Sequence, residues 1–94
     1  MQKIPLIKDE DKPQLVNKIL AIFNDYNPAI GYVNKSYRND ISEMLDALGE
    51  DDSIELVKRV IDFQGNDYAP VVTTPRDLRL KMIKINNYLE RHAH

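Results

Sequence analysis

Four cations stand close together near the C-terminal end of the chain: Arg76, Arg79, Lys81 and Lys84. Side chains of this type at this spacing are suited to neutralising phosphates, the chemistry that supplies most sequence-independent affinity for nucleic acid. No other group of residues offers a comparable constellation. Ser36, Ser42 and Ser53 have no histidine near them in sequence to take a hydroxyl proton, so no nucleophile–base pair is suggested. His92 and His94 close the chain beside no acidic cluster. Glu50, Asp51 and Asp52 lack the ligand spacing of a calcium loop, and a helix cap with a solvated turn accounts for them. There is no glycine-rich phosphate loop and no zinc-ligand spacing. The expectation is a protein that is not an enzyme and holds no cofactor or metal.

Composition sets the frame for those cations. Ninety-four residues suffice for one domain and one core. The 43% hydrophobic content is ordinary for a globular chain. The absence of cysteine excludes disulfides and thiolate chemistry and fits a reducing compartment. No apolar run is long enough to span a membrane, and MQKIPLIKDEDKPQ lacks the apolar core of a signal peptide. A cytoplasmic location is expected. The net charge of −2 hides an asymmetry: residues 36–67 carry three basic and nine acidic groups, a net −6, while residues 68–94 carry five basic and two acidic, a net +3. Such a split predicts one acidic and one basic face.

The elements that must position these residues read as helices. Residues 1–10 read as an extended segment, with Pro5 arguing against helix. A first helix starts near Asp11, with Pro13 in its first turn and an apolar stripe of Leu15, Ile19, Ile22, Phe23 and Tyr26. Asn27-Pro28 ends it. Asn34 or Ser36 caps a second helix with Tyr37, Ile41, Met44, Leu45 and Leu48 inward, and Gly49 stops it. Asp51, Asp52 and Ser53 offer the next cap. Ile54, Leu56, Val57, Val60, Ile61 and Phe63 go most of the way round the third helix, which predicts that it is central and most buried. Gly65 ends it. Tyr68, Val71 and Val72 are expected to pin the following loop onto the core.

Thr74-Pro75-Arg76-Asp77 is the most specific local signal. Thr74 caps, Pro75 takes the first helical position, and Asp77 forms a carboxylate variant of the capping box. It starts a last helix running to about Arg91. At about 100° per residue, Leu78, Met82, Ile85 and Leu89 share one sector flanked by Tyr88, the core face. Arg76, Leu80, Ile83, Lys84, Asn87 and Arg91 lie opposite. Leu80 and Ile83 are then either covered by Ile4, Leu6 and Ile7 of the N-terminal segment, or form with Arg91 an aliphatic contact surface ringed by cations. The predicted architecture is all-α, a bundle of four helices over residues 11–91, with an extended N-terminal segment and a disordered tail at 92–94.

Residues 37 to 90 resemble the small helical domain at the C-terminal end of phage and prophage replication proteins, the replisome organisers and helicase loaders, DnaD-like ones among them. The residues that carry the resemblance are Tyr68, Pro70, Val72, Thr73, Pro75, Leu78, Lys81, Lys84, Ile85 and Tyr88, with VKRVIDFQGND before them as the third helix. Met82 stands where that family often has tryptophan, and the usual N-terminal winged helix has no counterpart. The resemblance implies a replication accessory that touches single-stranded or duplex DNA, a replicative helicase, or both. On that reading Arg76, Arg79, Lys81 and Lys84 contact nucleic acid, while Leu80, Ile83 and Arg91 contact a partner, either a replication protein such as a helicase or a second copy of the chain. The alternative is a small phage-encoded regulator that binds a host factor without touching DNA.

Overall fold

A computed structural model describes residues 7–92, with the side chain of His92 outside the description. It is all-helical, with helices α1 (Lys12–Tyr26), α2 (Lys35–Leu48), α3 (Glu50–Asp62), α4 (Pro75–Leu80) and α5 (Met82–His92). Five helices stand where four are predicted, because the last one breaks at Lys81. That residue has φ −103° and ψ 16°, outside the helical well. Its ammonium is drawn back to the Val71 carbonyl at 2.6 Å. Neither proline nor glycine marks the break, so periodicity reads straight through it.

Local chemistry explains most boundaries. The Asn34 side chain accepts from the Tyr37 N–H at 3.1 Å and caps α2. Gly49, with φ 83° and ψ 175°, is the single residue between α2 and α3, in a backbone conformation open essentially to glycine alone. The expected cap at Asp51 to Ser53 is therefore not used: α3 already begins at Glu50. Ser53 is instead buried, with its hydroxyl donating to the Met44 carbonyl at 3.3 Å. Ahead of α1, the Asp11 and Lys12 N–H groups both donate to the Lys8 carbonyl, so residues 8–11 form a turn where the end of an extended segment is expected. Residues 1–6 and 93–94 lie outside the described residues, and with them most of the predicted N-terminal segment and tail; His92 closes α5.

The core joins Val16, Ile19, Leu20 and Phe23 of α1 to Ile41, Met44 and Leu45 of α2 and to Val57 and Val60 of α3. Val72, Leu78 and Ile85 close it from the other side. A fully buried side chain of this size contributes about 1.5–3 kcal/mol. The central element is α2, which packs on α1, α3 and α4. This corrects the expectation for α3, whose Ile54, Leu56 and Ile61 stay half-buried along its flanks.

The turn into α4 is built as a local clasp. The Thr74 hydroxyl accepts from the Asp77 N–H at 3.2 Å. The Asp77 carboxylate reaches one residue further back than a capping box requires and accepts from the N–H and hydroxyl of Thr73 at 3.1 and 2.9 Å. Burial alone would push the Asp77 carboxyl up, but the Thr73 hydrogen bonds, Lys81 and the Thr74 hydroxyl together hold it below its ordinary value of 3.8. A carboxylate depressed on folding adds stability that is complete above that ordinary value and lost as pH falls through the lower folded value. Thr74→Ala should cost about 1 kcal/mol. Gly65 has φ +87° and open space where a Cβ would stand, so Gly65→Val should cost on the order of 1 kcal/mol through backbone conformation alone. Thermal melts of both variants that match the parent would refute this account of the turns.

Candidate nucleic-acid interface

The loop at residues 66–73 decides what the basic stretch can do. It forms no strand, yet side chains satisfy its backbone much as a neighbouring strand would. Gln64 donates to the carbonyls of Val60 and Pro70 at 2.9 and 3.1 Å and accepts from the Val72 N–H at 3.1 Å. Asn27, across the fold, donates to the Thr73 carbonyl at 2.9 Å. Lys81 holds the Val71 carbonyl. Val72 is thereby pressed into the core, while Val71 points out.

Tyr68 is not a core residue. It has φ 64° and is 99% exposed. The Ala69 N–H donates to the Asn66 carbonyl at 3.2 Å and closes a turn with Tyr68 in its third position. Such a position favours glycine, and a bulky aromatic residue there costs about 1 kcal/mol. Tyr68 borders a groove of about 470 Å³ together with Pro70, Lys84, Asn87, Tyr88 and Arg91. Tyr88 in that lining is half-buried and meets Phe63 edge-on at 4.7 Å between ring centres. Lys84 and Arg91 lie two helical turns apart on one side of α5, with no ion-pair partner among the described residues.

The four predicted phosphate contacts are not brought together. Arg76 and Arg79 turn toward α2. The Arg79 guanidinium donates to Asp40 at 2.9 Å and lies 3.3 Å from Glu43, and Arg76 Nε lies 3.7 Å from the other Asp40 oxygen, an ion pair too long for a hydrogen bond. Lys81 serves the loop. Lys84 alone of the four lines the Tyr68 groove, where Arg91, assigned from sequence to a protein partner, joins it. Leu80 and Ile83 are 71% and 78% exposed. Ile7 packs on the core without covering them, and Ile4 and Leu6 lie outside the described residues.

Sequence reasoning missed Gln64, Asn27 and Asn87, and it misplaced Tyr68. The clamps are polar side chains in unremarkable surroundings, and only the fold shows what they reach. Among the described residues, no three His, Cys, Asp or Glu side chains gather to hold a metal ion, and no helix is long and apolar enough to cross a membrane. No family model, curated protein or solved structure matches the chain.

Proposed function

We propose that this chain is a non-catalytic accessory module of DNA replication that holds single-stranded nucleic acid on the face formed by Tyr68 and α5. The observation that carries the reading is Tyr68 itself, an aromatic residue held in solvent with a positive φ, bordering one groove with two cations that have no ion-pair partner among the described residues. Strain of this kind collects at functional positions. Stacking one base on an exposed ring is worth about 1–3 kcal/mol and tolerates any base. Lys84 and Arg91 then take the flanking phosphates, and the Asn87 amide offers a donor and an acceptor to a base edge. An overall charge of −2 is compatible with this, because the acidic excess belongs to residues 36–67 and the groove to the basic stretch. Duplex DNA fits less well, since a single ring needs an unstacked base. The replication setting rests on the resemblance described above, in which Tyr68, Pro70, Lys84 and Tyr88 take part.

A labelled oligothymidylate tests this by fluorescence anisotropy between about 50 and 200 mM salt. Single strands should bind more tightly than a duplex of equal length. Tyr68→Ala should weaken binding by about tenfold or more. Lys84→Ala and Arg91→Ala should each lower the salt slope by about 0.7, the share of one single-strand phosphate. No binding even at low salt would remove nucleic acid from the partner list. The exposed Leu80 and Ile83 would then favour the second reading, a regulator that docks on a protein without touching DNA.

A further inference from the structure

Two grooves meet at Met44 and Met82. The larger, about 450 Å³, runs between α2, α3 and α5 and is lined by Leu48, Leu56 and Leu89. The smaller, about 190 Å³, lies between α2 and α4 against Ile41, Pro75 and Leu78, and ends at Asp40 and Arg79. Together they form one apolar trough in which Leu48, Leu56, Met82 and Leu89 are half-buried around the buried Met44. Methionine is unbranched and polarisable, and adapts to the shape of what packs on it. Carboxylates stand on the rim. Glu43 and Glu55 are engaged by Arg79 and Arg59, and Asp52 is exposed with no ion pair among the described residues.

The chemistry that would fill such a trough stands elsewhere on the same chain. Leu80 and Ile83 form an exposed aliphatic ridge, with Lys84 next to it. The ridge belongs to the stretch of net +3 and the trough walls of α2 and α3 to the stretch of net −6. We propose that a second copy of this chain occupies the trough: the Leu80–Ile83 ridge of one copy seats against Met44, Leu48, Leu56, Met82 and Leu89 of the next. Lys84 beside the ridge then faces the rim at Asp52, the rim carboxylate with no ion pair among the described residues. The contact joins two different patches, so it is heterologous, and successive copies build a ring or an open chain. Met82, Asn86 and Leu89 lie on the side of α5 roughly opposite Lys84, Asn87 and Arg91. The trough therefore lies away from the Tyr68 groove, but the ridge does not: Lys84 borders both, so a second copy and nucleic acid compete for that side of α5.

Sedimentation velocity over a concentration series, with no oligonucleotide present, tests the proposal. The parent chain should self-associate, and more weakly as salt rises. Leu80→Ser/Ile83→Ser should be monomeric, and so should Leu56→Lys, which puts a cation into the trough that faces cations. Asp52→Lys, a change at an exposed position outside the core, should weaken association about tenfold in a variant whose melt shows it folded. The decisive measurement is a mixture. The ridge variant keeps an intact trough and Leu56→Lys keeps an intact ridge, so equal amounts should form a one-to-one pair that neither forms alone. A monomeric parent, unimpaired association of the ridge variant or of Asp52→Lys, or a mixture of folded variants that stays monomeric would each overturn the proposal.

Discussion

Ile85→Ala should cost about 3 kcal/mol and lower the melting temperature by roughly 15 °C. Leu80→Ser/Ile83→Ser, two exposed changes on either side of the break at Lys81, should leave stability within about 0.5 kcal/mol of the parent. Ile85 and Ile83 are the same residue type two positions apart, and two positions turn a helix by about 200°. That rotation carries the side chain from full burial at Ile85 to 78% exposure at Ile83. Truncating Ile85 removes buried methyl groups and leaves a void that the packed helices around it close only in part. Truncating Ile83 removes mainly contacts with water. Thermal and urea denaturation of the two variants side by side check the contrast. If the double Ser variant unfolds with Ile85→Ala, the ridge belongs to the core and both its docking role and its exposure are refuted.

Arg79→Ala should destabilise the fold by about 2 kcal/mol, well beyond the ordinary effect of removing a surface cation. The Asp40 side chain is only 2% exposed. One of its oxygens accepts from Arg79; the other makes no hydrogen bond and has only Arg76 at 3.7 Å. Without Arg79 the carboxylate stays buried with no donor. Breaking a buried pair from one side costs about 3–5 kcal/mol, and the half-exposed Arg79 guanidinium lets water relieve part of that. Removing both partners should be milder than removing one, because no charge is stranded. Arg79→Ala/Asp40→Asn should therefore recover part of the loss in urea denaturation. Equal stability of parent and Arg79→Ala would sink this account. Lys84→Ala should melt like the parent, so a loss of oligonucleotide affinity in that variant reports contact, whereas a loss in Arg79→Ala also reports the fold.

What the chain declares by itself is whatever depends on near neighbours. Asn34 capping α2, Asn27-Pro28 ending α1, Gly49 between α2 and α3, and Thr74-Pro75 opening α4 each act within about four residues. Helical periodicity likewise marks Ile19, Phe23, Ile41, Leu45, Leu78 and Ile85 as core, since a side chain's direction on a helix follows from its position. The exposure of Leu80 and Ile83 comes from the same wheel. The tertiary structure decided the rest. Arg76 and Arg79 read as free cations until α2 brings Asp40 to them across some forty residues of chain. Tyr68 reads as a core aromatic until Gln64, Asn27 and Lys81 tie down the loop and leave it a positive φ. The break at Lys81 coincides with its ammonium holding the carbonyl of Val71, ten residues away, and neither proline nor glycine announces it. Caps, turns and helical faces are set by the backbone and the residues beside it, so one sequence window contains their cause. The partner of a charge, and the side of a loop that meets water, are set by which distant groups the packed core brings within hydrogen-bond reach.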